Sequence, residues 1–342
     1  MVALSVLDLS IVRSGHPPSA ALHDTIRLAK ICEDAGYHRY WLAEHHNLPS
    51  VASPAPEIMI GQVAAATSRI RVGSGGIMLP NHAPLMVAER FRMLEGLFPG
   101  RIDLGLGRAP GTDGVTAFAL RRHNETRDGD DFLEKLQELI LWETGGFPDN
   151  HPFRRVVAMP SDVSLPPIWL LGSSGYSARL AAQVGMGFAF AHHFAQHDVR
   201  DAMLTYKAEF KPSTWLPASR SILAVAAAVA ETEEEAERVA SSQDLNRLRR
   251  DRGEFGPLPS PDEAAAYPYT EAERASIRRN RERFFVGTPD VIAARLATFS
   301  EDVRADELMI TSAIWDQDAR ARSYRLLAEA MATRAAPAQA AE

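Results

Sequence analysis

The chain has 342 residues, of which 46% are hydrophobic and 24% charged, an ordinary globular composition with enough apolar material for a sizeable core. Its 37 Lys and Arg against 44 Asp and Glu leave a net charge of −7, which argues against nucleic acid and anionic membrane surfaces as partners. A single cysteine, Cys32, excludes an intrachain disulfide framework and a Cys-rich zinc site, and its place in a helical stripe reads as a buried thiol.

The first residues, Met1-Val-Ala-Leu-Ser-Val-Leu-Asp8, lack the basic start and long apolar stretch of a signal peptide and read as an opening strand. The longest apolar run, at 222–230, is far short of the ~20 residues that span a bilayer, so a cytoplasmic protein is expected. Eight β-rich runs follow one another, at 4–11, 39–43, 70–78, 101–107, 167–171, 187–191, 221–229 and 307–311, each succeeded by a helical pattern. The first helix shows the logic: Leu22, Ile26, Leu28, Ala29, Ile31, Cys32 and Ala35 form an apolar stripe, and Gly36 suits a left-handed helix end. Eight strand-then-helix units close most economically into a (β/α)8 TIM barrel, with chemistry at the carboxyl ends of the strands. The spacing breaks before the last strand, where a basic, Pro-rich insertion over about 244–285 reads as a lid, an interface arm or a mobile segment. A last helix from Asp318 to about Thr333 precedes an Ala/Pro-rich tail at 335–342, and neither a repeat nor a linker divides residues 1–334.

Polar residues recur at the expected mouth. Gly172-Ser173-Ser174-Gly175-Tyr176-Ser177 joins an apolar strand to a helix, where free amides and hydroxyls can hold a phosphate, although the same residues also make a plain N-cap. Arg108 ends the strand at 101–107, placed for a bidentate grip on phosphate or carboxylate or for a structural salt bridge. Glu44-His45-His46 puts two imidazoles just past a strand, and their alternating directions let one face the mouth as an acid/base or hydrogen-bond donor; no third ligand at a recognisable spacing suggests a metal. His192-His193 ends another strand, and Gly73-Ser74-Gly75-Gly76 interrupts a β-branched run, as a close ligand approach or tight packing would require.

Taken jointly, Trp41-Leu42-Ala43-Glu44-His45-His46, the segment 71–82, Gly100 to Gly111, Leu171-Gly172-Ser173-Ser174 and Phe285-Val286-Gly287-Thr288-Pro289 resemble the bacterial luciferase-like monooxygenase superfamily. That resemblance implies reduced FMN bound at the barrel mouth, O2 added at ring carbon C4a to give a peroxyflavin, and oxygen passed to a small organic substrate. By the same resemblance Arg108, Ser174 and Ser177 grip the flavin phosphate, with Gly175 in the turn and Ser173 beside them where luciferase α-chains carry Glu. Gly75-Gly76 falls where the family has a non-proline cis peptide behind the flavin ring, His45 matches the catalytic histidine, and His82 and His193 are expected on the substrate side. No dinucleotide fingerprint is present, so a separate NAD(P)H:flavin reductase is the implied supplier of reduced flavin, and a homodimer the implied assembly. The same superfamily leaves two alternatives: a deazaflavin F420-dependent hydride-transfer enzyme, and a catalytically idle flavin-binding protein.

Overall fold

The computed structural model describes residues 2–121 and 131–339. In chain order its elements are β1 (Ala3–Asp8), α1 (Ala20–Asp34), β2 (Arg39–Leu42), α2 (Pro56–Ala66), β3 (Arg71–Ser74), β4 (Ile77–Met78), α3 (Pro84–Leu97), β5 (Ile102–Gly107), α4 (Gly114–Arg121) and α5 (Phe132–Thr144). There follow β6 (Ile168–Gly172), α6 (Gly175–Val184), β7 (Gly187–Ala191), α7 (Val199–Glu209), β8 (Ser221–Val229), α8 (Glu233–Asp251), α9 (Pro261–Ala266), α10 (Glu271–Asn280), β9 (Phe284–Gly287), α11 (Pro289–Asp302), β10 (Glu307–Thr311) and α12 (Gln317–Gln339). The order β10-β1-β2-β3-β5-β6-β7-β8 is parallel throughout, and β8 pairs back onto β10, which closes an eight-stranded barrel of TIM type.

The helices form where the sequence pattern places them. In α1, Leu28, Ala29 and Cys32 are buried against the sheet, and Gly36 follows at φ +84. In α8, Thr232 accepts from the Glu235 amide, three glutamates lie in the positive first turn, and Arg249 and Arg250 lie in the negative last turn. Between the barrel and its ring of helices sits the main core, while Leu7, Trp41, Trp169, Ile222 and Met309 fill the barrel itself. Below that plug a buried ion network holds the amino ends of the strands: Arg39 lies 2.7 Å from both Asp103 and Glu307, and its guanidinium stacks 4.9 Å from the Trp169 ring.

Four expectations change. The first strand stops at Asp8, because Ser10 takes φ +50, and Ile11 instead bridges antiparallel to Val51. The run at 70–78 is two strands, β3 and β4, separated by a cis Gly75-Gly76 peptide. A Cβ on Gly76 would come 2.9 Å from the Gly105 carbonyl, so close backbone packing demands glycine there, while one on Gly75 would come 2.7 Å from Leu7 Cδ1 and oblige that side chain to shift. The segment 244–285 is neither a loop nor a loose arm. Its first eight residues complete α8, two capping boxes (Ser260 with Glu263, Thr270 with Glu273) start α9 and α10, and β9 pairs parallel with the end of β8. Leu258 also exchanges backbone hydrogen bonds with Val12 and Ser14, so this cap is fastened on two sides. Lastly, α12 continues to Gln339, past residue 333; residues 340–342 of the expected tail lie outside the described residues. No helix among the described residues is long and apolar enough to cross a membrane.

Candidate active site

A cavity of about 440 Å³ opens at the carboxyl ends of the strands, where a barrel of this type carries its chemistry. Its floor is apolar, made by Leu7, Trp41, Leu171, Ala224 and Met309. One wall is the β6–α6 turn with Arg108 beside it, another carries His45 and His193, and the roof is the cap.

The β6–α6 turn is shaped by size: a Cβ on Gly172 would fall 2.3 Å from Ser177 Cβ, so glycine lets the helix start close to the strand end. Ser174 occupies the N-cap in extended conformation, yet its side chain makes no capping hydrogen bond. Among the described residues the hydroxyls of Ser173, Ser174 and Ser177 have no hydrogen-bond partner, and all three line the cavity. Arg108 lies with its guanidinium 4.6 Å from the Tyr176 ring in the first turn of α6, so the two sequence segments expected at a phosphate meet here. Gly175 is the first residue of α6. Helix amides, three uncommitted hydroxyls and a guanidinium form a donor set suited to a phosphate.

Of the two adjacent histidines, His45 lines the cavity and His46 turns away. His45 Nδ1 is buried with no partner among the described residues, and burial, reinforced by the charge of Arg250, holds its imidazole down to about 4. His193 also lines the cavity, its Nδ1 3.3 Å from the Ala224 carbonyl, and burial likewise holds it at about 4. Its neighbour His192 points outward onto Phe299.

His82 does not line the cavity. Its Nε2 lies 2.9 Å from Glu44 Oε2, while His46 Nε2 lies 2.9 Å from Oε1. Glu44 is fully buried and accepts two more hydrogen bonds, from the Met78 amide at 2.8 Å and from Asn81 Nδ2 at 3.1 Å. Burial alone would raise this carboxyl; the His82 bond and the others hold it below the ordinary carboxylate range. Glu44 therefore ties the loop carrying His45 to the segment after β4, a role the sequence did not single out. Its only signal was position, directly before the two histidines. No cluster of three or more His, Cys, Asp or Glu with metal-binding geometry occurs among the described residues.

Fold and cavity together define a TIM barrel whose mouth sets a group of hydrogen-bond donors above an apolar well. Residues 3–307 match the luciferase-like monooxygenase family, and the chain belongs to it. The luciferase-like monooxygenase of Escherichia coli (strain K12) is 40% identical over 325 residues, 95% of this chain and 96% of that one. The crystal structure of apo-MsnO8 aligns with a TM-score of 0.87 at 39% identity, covering 96% of this chain and 98% of that one. At the level of fold, the oxygenating constituent of 3,6-diketocamphane monooxygenase from Pseudomonas putida, in complex with FMN, aligns over 97% of this chain and 98% of its own (TM-score 0.69, 18% identity). An F420-dependent secondary alcohol dehydrogenase does so over 96% and 99% (TM-score 0.65, 12% identity).

Proposed function

We propose that the protein is a flavin-dependent monooxygenase that binds reduced FMN at the barrel mouth and uses O2 to oxygenate a small organic substrate. The observation that carries this reading is the uncommitted donor set of Ser173, Ser174 and Ser177 facing Arg108, in the same cavity as the partnerless nitrogen of His45. Reduced FMN, when bound, supplies the activation of O2. The chain supplies the rest. Ser174, Ser177, the α6 amides and Arg108 hold the phosphate, Ser173 lies beside them, and Gly75 with Gly76 keeps the neighbouring wall free of side chains. His45, uncharged at neutral pH, offers a ring nitrogen to the reacting oxygen without bringing a charge into the well. Leu7, Trp41 and Met309 exclude water from below, and His193 shapes the substrate side. His82 acts from outside the cavity, through Glu44, as a positioning residue.

The enzyme works in the cytoplasm with a separate NAD(P)H:flavin reductase. Exposed Ile58 on α2 and Met86, Met93 and Leu97 on α3 support a homodimer through these helices. The reading is tested by loading the protein anaerobically with reduced FMN, mixing with oxygenated buffer and following the return of the oxidised-flavin absorbance. The expected result is a return slower than that of free flavin, lost in His45→Ala while FMN still binds. Return at the free-flavin rate, with F420 retained in place of FMN, would instead establish the hydride-transfer alternative; flavin retained with no effect on its reaction with O2 would establish an idle flavoprotein.

A further inference from the structure

The cap brings to the cavity a set of polar groups that the phosphate end does not use. Gln243, Asn246, Arg247 and Arg250 all line the cavity from α8. Their spacing of three, four and seven residues places them on one face of the helix, half-buried at Gln243, Asn246 and Arg247 and exposed at Arg250, beside the buried face that carries Leu245 and Leu248. Asn280 and Arg283 extend the same surface from the end of α10.

Arg250, at one end of the stripe, is exposed. Its guanidinium makes no hydrogen bond or ion pair with any described residue; the acid next to it, Asp251, is held by Arg247 Nε at 3.2 Å. The cavity wall carries four arginines and a single acid. That acid, Asp244, is taken by Arg281, with contacts of 2.7–3.1 Å, and burial raises its carboxyl besides. Arg108 stands at the phosphate end over Tyr176, and Arg283 donates to the Ala195 carbonyl. The side chains of Gln243, Asn246 and Asn280 have no hydrogen-bond partners among the described residues. Arginines near a helix C-terminus are favoured by the helix dipole, and an exposed guanidinium such as that of Arg250 can be left to water, but neither accounts for four polar side chains lining one cavity.

We propose that this stripe is a clamp for the substrate's own anionic group, so that the site takes small organic acids, with the carboxylate on Arg250 and Arg247 and the apolar remainder directed down to the well. The proposal rests on the monooxygenase reading for the reaction, and goes beyond it in naming the substrate class. Guanidinium against carboxylate gives a charge-assisted, orienting contact. The charge of Arg250 already reaches both His45 and His193, so an anion seated on it lies beside the candidate catalytic histidine. On a chain of net charge −7, a cationic cavity roof also draws anions preferentially into this one opening.

Calorimetric titration of the protein with hexanoate and with its uncharged counterpart hexanamide tests the proposal, run beside titration with FMN. Hexanoate is expected to bind about tenfold more tightly than hexanamide, and Arg250→Gln to remove that difference while FMN affinity stays within about twofold. Arg250→Lys should restore part of it, and Arg247→Gln gives a second reading in which the fold is checked by circular dichroism. Equal binding of the two probes, or no binding of either, overturns the proposal. So does a parallel loss of FMN affinity in Arg250→Gln, which would assign the cation to the cofactor. Should FMN fail to bind while hexanoate is still preferred, the flavin reading falls and the organic-acid clamp stands.

Discussion

Replacing Glu44 with Ala removes one acceptor from four donors at once. Hydrogen bonds to a charged acceptor contribute ~1.5–3 kcal/mol each, so a plain sum over the four would exceed ~6 kcal/mol. The sum overstates the loss. His46 and His82 keep 18% and 17% of their side-chain surface exposed and can turn to water, and Asn81 Nδ2 retains the Pro110 carbonyl at 3.0 Å. The Met78 amide loses its 2.8 Å acceptor. The expected cost is therefore ~3–5 kcal/mol, the range for breaking a buried charged network. Glu44→Gln, which keeps one oxygen but sets an amide against two donors, should cost about half as much. Urea unfolding followed by circular dichroism measures both, with an unchanged denaturant slope as the control. A loss in Glu44→Ala below ~1 kcal/mol at constant slope would refute the assignment of this carboxylate as the tie between the His45 loop and the segment after β4.

Ser174→Ala should leave stability within ~0.5 kcal/mol, because the native hydroxyl makes no capping bond, yet weaken FMN by about tenfold in equilibrium titration; an N-cap loss of ~1 kcal/mol with FMN affinity intact would reverse that reading. Acidification is predicted to destabilise the fold through His45, His192 and His193. Each is held at about 4 against an ordinary 6.5, so between those values the unfolded chain binds the proton first and stability falls as the pH is lowered. Each group contributes on the order of 1–3 kcal/mol across the window, which urea midpoints at about pH 7 and about pH 5 would reveal; a flat profile would show that the imidazoles protonate without cost. His192→Phe, which keeps the packing on Phe299 outside the cavity, should flatten part of the slope.

Much of this barrel is legible in the sequence because each strand buries both faces and each helix one stripe, so the alternation of patterns is strong. Legibility fails where local composition misleads. The four-residue strand Phe284–Gly287 sits among arginines and glutamates and reads as part of an insertion, although Phe-Phe-Val before Gly is a strand-like signal. The end of α8 is hidden the same way: Leu245 and Leu248 continue its buried face, but Arg247, Arg249 and Arg250 around them dominate the composition. In the site, Arg108, the His45-His46 pair and the serine turn follow from strand ends, and the choice of His45 over His46 follows from the family resemblance. Glu44 does not, since its partner His82 lies 38 residues away and only the folded chain brings them within 2.9 Å.

The nine residues of β8 are more than the barrel wall requires. Its neighbours β7 and β10 use positions 221–226, and the last positions, 226–229, stand above the rim and take β9 as a new partner. Wall and roof thus share one continuous piece of backbone, so the roof is a fixture whose height over the opening is set by a ladder of main-chain bonds. The stretch between α8 and β9 then behaves as a cassette plugged into a constant frame. Its residues stand over the opening without forming any of the eight barrel strands or the glycine and serine turns between them.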